Sequence, residues 1–455
     1  MHSDLSRRLR LWFTLTEAID RRTYLLDGAA LMALKYGVDA LVVFLVTGNF
    51  WSPVDYLLPL YTLRADKLAG APAWFLPAVV VWTLPFMWVG VAMTLRRAVD
   101  AGRSPWLALV FFVPFLNYLL MLALCLLPTV PLRAWEREEG ARVVDARLTA
   151  ALYGIAAGLG VAIPTIAINV YLLHRYSSSL FLGTPFTLGA VTAYVLNRAE
   201  PRGVGVTHQV VSLGVVMLGG AILLFGLEGL LCIAMALPIA LAIALLGGVF
   251  GRAIAVHSPG RPISAAGLVV AVPLLAGVDR LHGPAPVFQV DDAVVIAAPP
   301  DAVWRDVVAF SELAPPHETL FRLGVAYPRR ARIEGHGPGA TRYCEFSTGT
   351  FVERITRWDA PRRLSFDIMA QPLPLVELSP YGAIDAPHLH GYFRARRGAF
   401  QLTQLPGGRT LLVGTTSYDL DIGPAWYWRI YADAIVSAIH RRVLRHIQHL
   451  AEASP

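Results

Sequence analysis

Cysteine is scarce, with three residues in 455. Cys125 and Cys232 fall inside apolar runs and Cys344 stands alone in the polar last third, so no disulfide can staple that third internally. No Cys/His spacing resembles a zinc site, and no cofactor or metal is expected. Charge is also thin, at 16% of residues, and the net +7 comes almost wholly from the apolar first 283 residues. Neither half carries a basic face interleaved with aromatics, which excludes a nucleic-acid partner. Nucleophile elbows, phosphate loops and HExxH are absent. The N-terminus lacks a short apolar core ending at a small-residue cleavage site, so its first apolar run is expected to stay in the mature chain.

Apolar residues, by contrast, make up 55% of the chain, and the mean hydropathy is +0.53. Runs near 29–47, 73–93, 106–128, 149–172, 178–196, 207–226, 229–250 and, more weakly, 262–279 approach the roughly 20 residues that a helix needs to cross a bilayer. If all eight cross, basic residues divide evenly between the two faces. If 106–128 dips and returns, helped by Pro114 and Asn117, one face keeps nearly every loop arginine, the bias expected of a cytoplasmic side. The sequence leaves both counts open. Lys35 and Asp39, one turn apart in the first run, are expected to pair. Glu228, at a short connection, reads as solvated.

Residues 95–115, "LRRAVDAGRSPWLALVFFVPF", hold Arg96, Arg97, Asp100, Arg103, Ser104 and Trp106 at fixed spacing against a helix start. Asp100 is placed to pair with an arginine and Trp106 to sit at headgroup level. This loop, with "FTLTEAIDRRTYLLDG" at 13–28, resembles an uncharacterised bacterial inner-membrane family marked by an Arg-Arg, Asp, Ser-x-Trp loop. Leu25 and Leu26 stand where that family has an aromatic pair. The resemblance implies no activity, and the loop is expected to be a cytoplasmic anchor.

Beyond "HGPAPVFQVDD" at 282–292 the apolar runs stop. "VFQVDDAVVIAAPPDAVWRDVVAF" reads as a strand, a turn and a helix capped by Asp301. Alternating segments at 349–368 and a hairpin at Gly407 and Gly408 follow. The last helix carries Trp428, Ile435, Ile439, Val443, Ile447 and Leu450 on one stripe, leaving His440, His446 and His449 largely on its polar side. Three domains are expected: 1–130, 131–283 and 284–455. The fold class is a multi-pass α-helical membrane domain followed by an α+β helix-grip domain, a curved antiparallel sheet around a long C-terminal helix.

"IAAPPDAVW", "GTFVERITRWDAPRRLSF", "GGRTLL" and "AIHRRVLRHIQHLAE" in that order resemble the polyketide cyclase and START lipid-transfer superfamily over about 286–452. The resemblance implies a cavity for a hydrophobic ligand and, in a minority of members, cyclisation or dehydration. The candidate lining is Tyr343, Phe366, His388, His390, Phe400, Trp428, Tyr431, Ile435 and Ile439. His317, Glu318, His336, Tyr343, Glu345 and the His388/His390 pair are acid-base candidates, but the pair lacks a third ligand at a recognisable spacing and reads as satisfied or solvent-facing. The expectation is a membrane-tethered binder, carrier or sensor of a lipid-like molecule, with membrane lipids as partners and the C-terminal domain in the cytoplasm. A tethered cyclase or dehydratase is the alternative, and a structural scaffold whose cavity is filled by its own side chains is a third reading.

Overall fold

The computed structural model describes residues 11–15, 17–56, 67–72, 74–112, 116–131, 145–224, 226–257, 285–379 and 382–453. The run at 262–279 lies outside them. Helices α1 (Arg21–Thr47), α2 (Phe75–Asp100), α3 (Leu116–Leu126), α4 (Ala146–Ala167), α5 (Thr184–Asn197), α6 (Val204–Leu224) and α7 (Leu230–His257) form the first half. Among the described residues, five helical stretches are long and apolar enough to span a membrane: Arg21–Thr47, Ala146–Leu172, Ser179–Asn197, Val204–Leu223 and Leu230–His257.

Helix α5 is the buried centre of this bundle, gripped on two sides by glycine pairs four residues apart. A Cβ on Gly247 or Gly251 of α7 would stand 2.1 or 1.9 Å from the carbonyl oxygens of Phe186 and Ala190. On the other side, a Cβ on Gly154 or Gly158 of α4 would stand 2.8 or 3.0 Å from the carbonyl oxygens of Thr192 and Leu188. Small residues at this spacing let helix backbones touch where water offers no hydrophobic drive.

Among the described residues, the run at 106–128 holds no helix long enough to cross. It divides into a 3-10 turn, Pro105–Phe112, and the 11-residue α3, which is too short to span. Both ends return to the C-terminus of α2: Val130 N donates to Asp100 O at 3.1 Å, and Arg97 donates to the carbonyls of Leu124, at 3.0 Å, and Leu127. Arg97 also pairs with Asp100, which accepts from Thr129 Oγ1 at 2.7 Å. Arg96 reaches the other way, to the carbonyls of Leu11, Thr14 and Glu17. Both guanidiniums are buried, so the loop is a carbonyl clamp and not the solvated anchor that its charge suggests. Arg103 N closes onto Ala98 O at 2.8 Å, while Ser104 and Trp106 remain exposed. Lys35 and Asp39 do pair, and Asp39 also accepts from Tyr56 and from Trp82 Nε1, the latter at 3.0 Å.

The second half has strands β1 (Val287–Ile296), β2 (Pro328–Glu334), β3 (Thr341–Phe346), β4 (Gly349–Asp359), β5 (Arg363–Ala370), β6 (Glu377–Ser379), β7 (Gly382–Ile384), β8 (Phe393–Leu405) and β9 (Arg409–Leu420). Helices α8 (Pro300–Val308) and α9 (Thr319–Arg322) lie between β1 and β2, and α10 (Ala425–Ala453) ends the fold. Seven strands pair antiparallel in the order β1-β9-β8-β5-β4-β3-β2, with β6 and β7 forming a separate hairpin. Bulges at Val352/Glu353, Ile355/Arg357 and Ala395/Arg397 bend the sheet, and α10 lies in the bend. The result is a helix-grip domain. Pro299, not Asp301, occupies the cap of α8, because Pro300 fits the first helical position and moves Asp301 into the first turn.

Helix α10 changes partners along its length. Val443, Leu444, Ile447 and Ala451 close the sheet's core with Trp304, Leu364 and Leu412. Tyr427, Trp428, Ala432 and Val436 share a cluster with Ile239 and Phe181 of the membrane half. Tyr427 Oη donates to Met235 O at 2.6 Å, Gly423 N to Tyr176 O at 2.7 Å, and Tyr392 Oη to His174 O at 2.7 Å. The helix-grip domain therefore sits on the loops after α4 and α6, at the end of the bundle opposite the Arg97 clamp.

Candidate functional site

Between the sheet and α10 lies a cavity of about 120 Å³. Phe346, Phe351, Phe366, Ile368 and Phe400 from the strands and Val436, Ile439 and Val443 from the helix make most of its wall. Two polar groupings interrupt that wall. The first is Arg342 on β3 with Glu353 on β4, neighbours in the ladder and both buried. Their side chains are hydrogen-bonded, and Arg342 Nε donates to Val308 O at 3.1 Å. Three rings, Phe310, Phe366 and Phe400, stand 5.5, 5.6 and 5.6 Å from the guanidinium. Burial pushes the Glu353 carboxyl up even beside that cation. The Cys344 thiol, also on the wall, is pushed up to about 12 by burial and then by Glu353, so it is an inert thiol near neutral pH.

The second grouping is a relay. His440 Nε2 lies 2.7 Å from Thr416 Oγ1, and His440 Nδ1 lies 3.0 Å from Asp292 Oδ2. Ser437 Oγ donates to the other Asp292 oxygen at 2.5 Å. Burial holds His440 below the usual histidine range despite the carboxylate, which keeps the ring neutral near pH 7. With Nδ1–H donating to Asp292, Nε2 accepts from Thr416 Oγ1 at the cavity wall. His440 was expected on the polar face of its helix; it is buried because β1 supplies a carboxylate across the groove. His446 is half-exposed, 3.1 Å from Ser311 O.

Of the residues expected to line the site, Phe366, Phe400 and Ile439 meet at the cavity. Tyr343 projects from the opposite face of β3, under the Arg332 guanidinium at 4.1 Å. Trp428 packs on Phe181 of the membrane half at 4.8 Å, and Tyr431 lies beside Tyr427 in the same cluster. Ile435 joins Phe321, Leu375 and Leu231 in a further interdomain cluster. His388 and His390 do not point together: Pro387–Leu389 is a single 3-10 turn, which sends His388 inward and leaves His390 exposed against Asp385 at 2.6 Å.

His388 enters a polar cluster between the two halves. Its Nδ1 is 2.9 Å from Glu228 Oε2, and its Nε2 is 3.2 Å from both Glu377 Oε1 and Cys232 Sγ. The carboxylates outweigh burial and raise its pKa well above the usual histidine range. Glu228 is not solvated as expected; it accepts from Tyr176 Oη at 2.5 Å. Glu228 and Glu377 approach His388 at ion-pair distances, and His388 Nδ1, Glu228 Oε2 and both Glu377 oxygens have no hydrogen-bond partner among the described residues.

Residues 12–134 match the model of a family described as a protein of unknown function, DUF805. No curated protein matches the chain. Among solved structures, the chain is similar to the Zhui aromatase/cyclase from a Streptomyces species, at 17% identity over 37% of this chain and 94% of that one, with a TM-score of 0.26. It is also similar to a truncated norcoclaurine synthase from Thalictrum flavum, at 12% identity over 38% and 99% of the respective chains, with a TM-score of 0.25. The helix-grip architecture stands on the strand order and the terminal helix themselves.

Proposed function

We propose that the protein binds an apolar small molecule in the helix-grip cavity and carries or senses it at the membrane on which the domain sits. The observation that carries this reading is a mainly aromatic and aliphatic wall holding two buried polar groupings, which suits a ligand with a hydrophobic body and one polar end. Anchoring beside the bilayer raises the local concentration of cavity where such molecules dissolve. The test is mass spectrometry of an organic extract of the full chain. Gly414 lies across from Phe400 and Leu444, with its missing Cβ at ordinary contact distance from both. Gly414→Leu should fill the cavity and reduce bound ligand at least tenfold while the unfolding temperature holds. Equal ligand in wild type and variant overturns the reading.

The Thr416–His440–Asp292 relay favours a second reading, in which the bound molecule undergoes proton transfer at a neutral imidazole. His440→Gln would then retain the ligand and lose its conversion.

The reading places the protein in a bacterial inner membrane with the helix-grip domain on the face opposite the clamp, the reverse of the cytoplasmic placement expected from sequence. In its support, among the described residues the connections at the clamp end hold Arg103, Arg198 and Arg202, whereas those at the docking end hold Lys67 and Arg175. Arg397 is 76% exposed. Arg397→Cys, in a chain whose native cysteines are replaced, should react with a membrane-impermeant thiol reagent on intact cells. Reaction only after lysis puts the domain inside.

A further inference from the structure

We propose that Cys232, Glu377 and His388 form a binding site for a zinc-class divalent cation that joins the helix-grip domain to the membrane bundle. The three come from separate elements: the first turn of α7, strand β6, and the 3-10 turn before β8. Their ligand atoms all lie within 4.8 Å of one another. An ion that bonds sulfur at ~2.3 Å and nitrogen or oxygen at ~2.0–2.2 Å holds tetrahedral ligand atoms roughly 3.3–3.6 Å apart. His388 Nε2 is already 3.2 Å from both the thiol sulfur and the carboxylate oxygen, within a few tenths of an ångström of that spacing, and the sulfur and oxygen lie within 4.8 Å of each other.

Glu377 supplies an independent reason. Its side chain is wholly buried, and neither oxygen has a hydrogen-bond partner among the described residues. A buried carboxylate with no hydrogen bond is costly, and a cation between it, the sulfur and the imidazole satisfies it more fully than the 3.2 Å approach of His388 alone. The backbone makes room for it, since a Cβ on Gly229 would lie 1.7 Å from Glu377 Oε2.

The surroundings of His388 fit as well. With Nε2 facing the ion, Nδ1 faces Glu228, 2.9 Å away, which is fixed in turn by the Tyr176 hydroxyl. A carboxylate behind a ligating imidazole sets the tautomer and raises the ring's basicity. Sulfur with nitrogen and one oxygen selects zinc or cobalt over magnesium or calcium. Binding releases the Cys232 thiol proton and any second imidazole proton to solvent. Three protein ligands leave a fourth position for water or for a ligand group.

The test uses the full chain in detergent, stripped by chelator and titrated with Co²⁺ and then Zn²⁺, in a background carrying Cys125→Ser and Cys344→Ser. One Co²⁺ per chain is expected, with tetrahedral visible bands and a near-ultraviolet thiolate-to-cobalt band, all displaced by Zn²⁺. Cys232→Ser should lose the thiolate band and bind at least tenfold more weakly. Glu228→Gln should keep the band and weaken binding about 10–100-fold. A stripped chain that takes up no Co²⁺, or a Cys232→Ser chain that binds as tightly, overturns the site. If Cys232→Ser does not fold, the parent spectrum decides: cobalt uptake without a thiolate band overturns it too.

Discussion

Glu353→Ala is expected to destabilise the helix-grip domain by about 3–5 kcal/mol, because it leaves the buried Arg342 guanidinium without its counter-charge. The three surrounding rings attract that cation but supply no negative charge or hydrogen-bond acceptor to replace the carboxylate. The reverse change, Arg342→Ala, should cost as much by stranding a carboxylate whose burial already disfavours its charge. Removing both together, as Arg342→Met with Glu353→Leu, should recover most of the loss, since apolar groups of similar size replace a buried ion pair at little cost. Denaturant unfolding of the full chain in detergent measures all four states. Single variants within about 1 kcal/mol of wild type would show that the pair is hydrated in solution, and a double variant no better than the singles would show that it has a role beyond charge.

The second large effect belongs to the bundle. Gly251→Leu should separate α7 from α5, because a Cβ 1.9 Å from the Ala190 carbonyl meets backbone that no rotamer can move. Overpacking costs about 1–3 kcal/mol when side chains can adjust, so the loss here should reach or pass the upper end of that range. Gly160→Leu is the control: that glycine lies in α4 with nothing within 4 Å of an added Cβ, and the change should be close to neutral. Thermal unfolding of both variants in one detergent checks the pair. Similar melting temperatures for the two would mean that the helices do not touch at this point.

Much of the fold was legible because it repeats. The apolar runs, the alternating strands around Asp359–Arg363 and the amphipathic terminal helix all announce themselves within a window of a dozen residues. The Arg-Arg loop was legible as a motif but not as a clamp, because its acceptors are backbone carbonyls of α3 and the N-terminal segment, which carry no sequence signal. His440 was missed because a helical wheel assigns polar residues to solvent unless a partner is known. Its partner, Asp292, lies 148 residues away on a strand that the helix only later covers. The reading of α10 as one stripe with one partner also misplaced Trp428 and Ile435, since the first half of the helix faces the bundle. Glu228, Cys232, Glu377 and His388 could not be grouped from spacing, as docking of one half on the other is what brings them together.

Helix α10 has 29 residues and neither proline nor glycine within it, which makes it a straight rod of roughly 44 Å. One end is seated among Phe181, Ile239 and Met235, and the other lies in the concave face of the sheet. A rod without a joint works as a lever arm: a tilt of about one degree at the seated end moves the far end by roughly 0.8 Å over that length. Any tilt of the bundle is thus carried to the cavity wall at residues 436–444, about midway along the rod, as roughly half of that displacement.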